Sequence, residues 1–217
     1  MIENYRHISF DLDGTLVHTV PEYRYMIVPK VVERLGGVSP SKRAIDRFWF
    51  ESTRNRIIES EFKLDPISFW TVYQQHDLAA ERDRHTHAYD DAAPVIALLK
   101  QMGKTISIIT GAPERIAKME MAKLNGAPID FYCSTTSRGF LEKPNPESFH
   151  FVLRKLDIPP ADTLYIGNSN EDAFFAKNAG VDFIYLERKQ HEFDEKEWMV
   201  ATVHSLHDLI KSSISKS

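Results

Sequence analysis

Five short apolar runs, separated by stretches with helical spacing, restrict the possible folds of this chain more than any other feature. The runs occupy residues 7–11 (HISFD), 105–110 (TISIIT), 130–134 (DFYCS), 163–168 (TLYIGN) and 182–187 (DFIYLE). Between them lie AAPVIALLKQMG, PERIAKMEMAKLNG, NPESFHFVLRKLDI and NEDAFFAKNAG, several ending in a glycine that tolerates the left-handed turn closing a helix. Near-continuous apolar strands alternating with helices imply βαβ units, a mostly parallel sheet and helices on both faces. The expected fold is therefore an open, doubly wound α/β, Rossmann-like core. Sheets of this kind bind ligands beyond the carboxyl ends of their strands.

Residues 19–87 follow a different pattern. VPKVVERLGG, SKRAIDRFWFES, RIIESEFKL and PISFWTVYQQHDLAAER read as helices with no obvious strand. The expected organisation is a catalytic core from residues 1–18 and 88–217, with a helical insertion at 19–87. The crossings fall near residues 18–22 and 85–92, where paired connections can serve as a hinge for a lid. The 217 residues suffice for both parts.

A net charge of -4 gives no basis for a nucleic-acid or anionic-membrane partner. No segment reaches the roughly 20 apolar residues of a membrane span, and MIENYRHISF lacks a signal-peptide apolar run. Cys133, the single cysteine, excludes an intramolecular disulfide and reads as a small core residue. The expectation is a soluble cytoplasmic protein.

Polar residues gather where the strands end. FDLDGT, at residues 10–15, closes the first strand with Asp11 and Asp13 and turns on Gly14. Side chains at i and i+2 of an extended segment share a side, so both carboxylates can face one site. Their mutual repulsion is relieved by a cation or by a proton on one of them, and both suit phosphoryl transfer. After the second strand, Thr110 and Gly111 offer a hydroxyl and backbone N–H groups to phosphate oxygens. Lys143 precedes a proline-stiffened turn in EKPNPESF, and Asn168, Glu171 and Asp172 lie between a strand and a helix in GNSNEDAFFAKNAG. Separately each has a plain alternative: a turn, a strand-ending threonine, a solvated lysine, or helix-capping acids. All of them fall on one edge of one sheet.

In this order and spacing, FDLDGT, IITG, KPNPESF and GNSNEDAFFAKNAG resemble the four motifs of the haloacid dehalogenase superfamily, covering residues 10–180. The helical insertion resembles the cap of its phosphoglycolate phosphatase and β-phosphoglucomutase branch. The resemblance implies that Asp11 attacks phosphorus and forms an aspartyl phosphate. It makes Asp13 the acid for the leaving alkoxide and then the base for water, with its backbone carbonyl on Mg²⁺. Gly14, Thr110, Gly111 and Lys143 become the phosphate-binding residues. Asp11, Asp13, Asp172 and Asn168 become the metal-binding set, the last two from oxygen groups that suit a hard cation. A second aspartate, needed to protonate an alkoxide, favours phosphate ester hydrolysis over dehalogenation. The expected substrate is a small phosphorylated metabolite, with its identity and the oligomeric state left open. A phosphomutase on the same scaffold and a catalytically weakened binding protein are the alternatives. A phosphonatase would need a cap lysine in a context that Lys30, Lys42 and Lys63 lack.

Two positions depart from the family pattern. Asn168 stands where the fourth motif usually has aspartate, which predicts weaker but retained Mg²⁺ binding. His18 replaces a frequent acidic residue and is assigned to the hinge. His85 and His87 form an H-x-H near Asp90 and Asp91 that reads as a polar hinge rather than a metal site. Arg43, Arg47, Arg54 and Arg56 read as a solvated helix face, and Phe48, Trp49, Phe50, Phe69, Trp70 and Tyr73 as the insertion's own core.

Overall fold

The computed structural model describes residues 2–51, 53–190 and 192–214. It divides into two compact units, one of Met1–His18 with His87–Ser217 and the other of Thr19–Thr86. In chain order, β1 (His7–Phe10) and β2 (Val17–Thr19) lead to α1 (Pro21–Arg34), α2 (Lys42–Phe50), α3 (Arg54–Ile57), α4 (Pro66–His76) and α5 (Ala79–Asp83). A π-helical turn at Ile58–Phe62 continues α3. After β3 (Thr86–Ala88) come α6 (Ala92–Gln101), β4 (Thr105–Thr110), α7 (Glu114–Ala122), β5 (Phe131–Ser134) and α8 (Glu147–Leu156). The chain then forms β6 (Thr163–Gly167), α9 (Asn170–Ala179), β7 (Asp182–Leu186), β8 (Ala201–Val203) and α10 (His207–Ile214).

Six strands form a sheet in the order β5-β4-β1-β6-β7-β8, and every described pairing within it is parallel. The doubly wound α/β core is thus present. The register sets Phe10 level with Ile108 on one side and Ile166 on the other. β1 is therefore flanked by strands from both halves of the winding, the topological position at which such sheets open a crevice. The five expected strands form, four of them trimmed by a residue at one end. Strands β2, β3 and β8, of three residues each, were not expected from the sequence. Three residues carry too little alternation to register as a period.

Period-two alternation sorts the sheet residues into two cores. Ile8, Phe10, Ile106, Ile108, Leu164 and Ile166 pack with Val95, Ile96 and Leu99 of α6, all buried. Ile109, Cys133, Tyr165 and Phe183 face the other way, onto Phe149 and Val152 of α8 and Phe175 of α9. Burial pushes the Cys133 thiol up to about 11, which keeps it protonated.

The helical unit has its own core, in which Tyr23, Ile27, Val31, Phe48, Phe62, Phe69 and Tyr73 are buried, with Trp49 and Trp70 packed against it. Phe50 instead lies under the Arg24 guanidinium, 5.0 Å from its ring centre. Helix starts are marked by Ser41, which accepts from the Ala44 N–H at 3.1 Å, and by Asp65, which accepts from that of Ser68 at 2.8 Å. Arg47 pairs with Glu51 at 2.8 Å and with Glu61, while Arg43 and Arg56 are exposed. Among the described residues no helix is long and apolar enough to cross a membrane.

One polar chain runs through the sheet. His7 Nε2 lies 2.8 Å from Ser107 Oγ and its Nδ1 lies 3.1 Å from Thr163 Oγ1, while Ser107 donates to Ser9 at 2.9 Å. The imidazole is fully buried, and burial lowers its pKa from 6.5 to about 4. Between those values the unfolded chain binds a proton that the folded chain refuses, so stability is complete above pH 6.5 and falls as pH drops toward 4. At pH 5 the loss from this group reaches about 2 kcal/mol relative to pH 7.5. Urea unfolding of the native protein and of His7→Gln at both pH values checks it. The pH-dependent difference should shrink by that amount in the variant, and equal slopes would refute the assignment.

Candidate active site

Two turns at the carboxyl edge of the sheet form the centre of the site. Beyond β1 the chain bends back at once, because the Leu12 carbonyl accepts from the N–H groups of Leu16 and Val17 at 2.9 and 3.1 Å. The Asp11 N–H still donates to the Ile166 carbonyl at 2.9 Å, so this carboxylate sits on the last rung of the sheet. Beyond β6, Ser169 caps α9 by accepting from the Asp172 N–H at 3.1 Å, and returns its hydroxyl proton to Asp172 Oδ2 at 2.7 Å. Asp172 is thereby folded back over Gly167, where a Cβ would lie 2.5 Å from that of Asp172. Only glycine permits this approach.

Lys143 joins the two turns. Its ammonium donates to Asp11 Oδ1 at 2.8 Å, Asp172 Oδ1 at 2.9 Å and Tyr165 Oη at 2.7 Å. It also lies 5.4 Å from the Tyr165 ring centre and 5.3 Å from that of Phe175, a geometry that favours a cation. Asp11, Lys143 and Asp172 are 7%, 7% and 3% exposed, so the network is largely withdrawn from water. Burial, then the like charge of Asp172, push the Asp11 carboxyl up to about 7 against the pull of Lys143. Burial works against the Lys143 ammonium, yet Asp11 and Asp172 together lift it above the usual lysine range.

Other candidates line the same edge. Thr15 donates to Asp11 Oδ2 at 3.0 Å and lies 3.4 Å from Asn168 Oδ1. Asn168 is 6% exposed, and its N–H donates to Asp172 Oδ2 at 3.3 Å. Asp13 is half-buried at the turn and bridges to Val17. Thr110, 2% exposed, ends β4 beside β1, where its Oγ1 accepts from the Ala112 N–H at 3.0 Å. Gly111 is exposed, with open space where a side chain would stand. Asp11, Lys143, Asp172 and Asn168 thus form one hydrogen-bonded group, with Gly14 beneath Asn168 and Thr110–Gly111 at the neighbouring strand end. Thr15, Tyr165 and Ser169 carried no role in the sequence reading. Thr15 lies inside the quoted motif, but the phenol of Tyr165 is hidden in an apolar run.

Among the described residues no group of three or more His, Cys, Asp or Glu side chains is placed to hold a metal. His87 instead lies 5.8 Å from the ring of His18, and His85 lies 5.5 Å from Tyr23. His18 in turn lies 4.8 Å from the ring of Tyr89. Beside the Lys143 ammonium, the oxygens grouped with Asp11 are those of its own and the Asp172 carboxylate, the Thr15 hydroxyl and the Asn168 amide. That hard, all-oxygen set suits Mg²⁺, which is normally held by one or two carboxylates with water completing its shell.

The chain belongs to the haloacid dehalogenase-like hydrolase family, whose family model matches residues 5–180, the span that holds the buried carboxylate–lysine group. Among curated proteins it is 28% identical over 200 residues to the phosphoglycolate phosphatase of Pseudomonas fluorescens, covering 83% of this chain and 69% of the relative. It is 23% identical to that of Neisseria meningitidis over 237 residues, with 99% and 97% covered. Among solved structures, a haloacid dehalogenase-like hydrolase from Bacteroides fragilis superposes with a TM-score of 0.78 at 24% identity, covering 95% of this chain and all of that one. CbbY from Rhodobacter sphaeroides, solved with phosphate, gives 0.76 at 17% identity, with 94% and 96% covered. These two structures share the fold.

Proposed function

We propose that the protein is a magnesium-dependent phosphatase that hydrolyses a small phosphorylated metabolite through an aspartyl phosphate on Asp11. The observation that carries this reading is the Lys143 ammonium held between Asp11 and Asp172 at the carboxyl end of β1. An Asp11 oxygen attacks phosphorus as the ester P–O bond breaks, and Asp13 gives its proton to the departing alkoxide. Water then attacks the phosphorus of the aspartyl phosphate and passes a proton to Asp13, which frees Asp11 and inorganic phosphate. Lys143 orients the Asp11 carboxylate and offsets phosphate charge, and the Thr110–Gly111 turn binds phosphoryl oxygens. Asp11, the Asp13 carbonyl, Asp172 and Asn168 would hold Mg²⁺, which supplies charge neutralisation at the phosphoryl group.

The phosphatases among the relatives make phosphoglycolate the first compound to test, followed by phosphorylated sugars, nucleotides and amino acids. Phosphate release is measured with Asp11→Asn as the blank. Release no greater than that blank across the whole panel would sink the proposal.

A neutral amide at position 168 binds Mg²⁺ less well than a carboxylate, since affinity follows ligand charge. Asn168→Asp should lower the apparent Mg²⁺ constant by about tenfold. Titrating activity against Mg²⁺ in both proteins reads this directly, and coincident curves would count against Asn168 as a metal-facing group.

A further inference from the structure

Asn168 can serve a cation only if its amide presents oxygen, not nitrogen, to the carboxylate pocket, and the amide's shape does not decide between them. The segment after β7 supplies a partner for one end of that amide. Asn168 Nδ2 donates to Gln190 Oε1 at 3.3 Å, and Gln190 Nε2 donates to Tyr89 Oη at 2.8 Å. With its nitrogen drawn toward Gln190, Asn168 turns Oδ1 toward Thr15, whose hydroxyl lies 3.4 Å away and donates at the shorter distance of 3.0 Å to Asp11. That sets Asn168 Oδ1 on the side of Thr15, the hydroxyl that bonds Asp11.

The surroundings hold this arrangement in place. Tyr89 lies beneath the Arg188 guanidinium, 3.8 Å from the ring centre. Arg188 in turn donates to both oxygens of Asp91 at 2.7 and 3.0 Å and to the Thr15 carbonyl at 3.1 Å. Gly14 provides the floor: it has φ +87°, and a Cβ there would lie 2.2 Å from Asn168 Nδ2 and 2.8 Å from Gln190 Oε1. The glycine of the first motif thus leaves room for the amide pair as well as for the turn.

We infer that Gln190 is a positioning residue that fixes the Asn168 amide with its oxygen toward the Mg²⁺ pocket. The inference rests on the metal reading given above. A carboxylate has two equivalent acceptors and needs no such orientation, so Gln190 matters here because residue 168 is an amide. Outer-shell partners of this kind commonly change metal affinity by about tenfold or more.

The test is Mg²⁺ binding by isothermal titration calorimetry, without substrate, to the full chain. Gln190→Leu should weaken binding about tenfold, whereas Gln190→Glu, which still offers an acceptor to the Asn168 amide, should keep or improve it. In the Asn168→Asp background Gln190→Leu should change affinity by less than about twofold, because the coupling between the two sites is gone. Equal losses in both backgrounds would overturn the inference, since they would mark Gln190 as merely structural. So would unchanged binding in Gln190→Leu, or a loss in Gln190→Glu as large as that in Gln190→Leu. If the native protein binds no Mg²⁺ and Asn168→Asp restores none, the metal reading falls and takes the inference with it. A native protein that binds Mg²⁺ indifferently to Gln190 removes the inference alone.

Discussion

Asp11→Asn should lower phosphate release by about a thousandfold or more while leaving the fold intact. The amide has nearly the shape of the carboxylate: its oxygen can still accept from Lys143, which donates to Asp11 Oδ1 at 2.8 Å, while its Nδ2 takes the place of Oδ2 and can donate to the Thr15 hydroxyl oxygen, 3.0 Å away. It cannot supply the negative oxygen that the proposed attack on phosphorus needs. The stability of the metal-free protein should be unchanged or higher, because one of two buried like charges disappears while Lys143 keeps Asp172 at 2.9 Å. Three measurements separate the possibilities. Steady-state phosphate release should collapse, the thermal midpoint should hold, and a phosphoryl-mass increment on the peptide carrying residue 11 should appear in the acid-quenched native enzyme alone. Retained turnover in the variant would falsify the nucleophile assignment. A collapsed midpoint would show instead that the carboxylate is needed for folding.

Much of this site is legible in the sequence because doubly wound sheets put their chemistry at strand ends, and strand ends are easy to find. The Asp11, Thr110 and Asn168 positions each follow a strongly apolar run, so reading the strands places all three on one edge. Lys143 is harder. It precedes α8 in a loop, where spacing alone cannot separate a buried lysine from a solvated one. Its pairing emerges only when the fold sets two carboxylates within 2.9 Å of it. Tyr165 shows the opposite difficulty. Its neighbours Leu164 and Ile166 point into one core while it faces the other, so only the alternation of the strand aims its phenol at Lys143. Gln190 follows the last long strand in a polar stretch without a motif, and it matters only through residue 168, some twenty positions earlier. The three-residue strands and the His7–Ser107–Thr163 chain escape the sequence for a related reason. Each depends on contacts between residues far apart in the chain, which no local period records.

Lys143→Met should destabilise the protein as well as slow it, whereas Asp11→Asn slows it without loss of stability. The substitution keeps an unbranched apolar stem but removes the charge that joins Asp11 to Asp172. Two carboxylates, 7% and 3% exposed, then face each other without a cation. Removing one partner from a buried ion pair generally destabilises by about 3–5 kcal/mol, because the remaining charge is left uncompensated. Partial protonation of Asp11 softens this toward the lower end, since burial and Asp172 already push that carboxyl up to about 7. For a chain of this size about 3 kcal/mol corresponds to a fall of about 6–12 °C in the thermal midpoint. Turnover should drop by about a hundredfold or more, since both the orientation of the nucleophile and the charge facing phosphate are lost. Mg²⁺ distinguishes this explanation from a simple packing defect. A dication between the same carboxylates replaces part of the missing charge, so saturating Mg²⁺ should raise the midpoint of Lys143→Met more than that of the native protein. Differential scanning calorimetry with and without the metal reads this difference. Equal Mg²⁺ shifts in the two proteins would mean that Lys143 acts through packing, and its place in the proposed chemistry would have to be withdrawn.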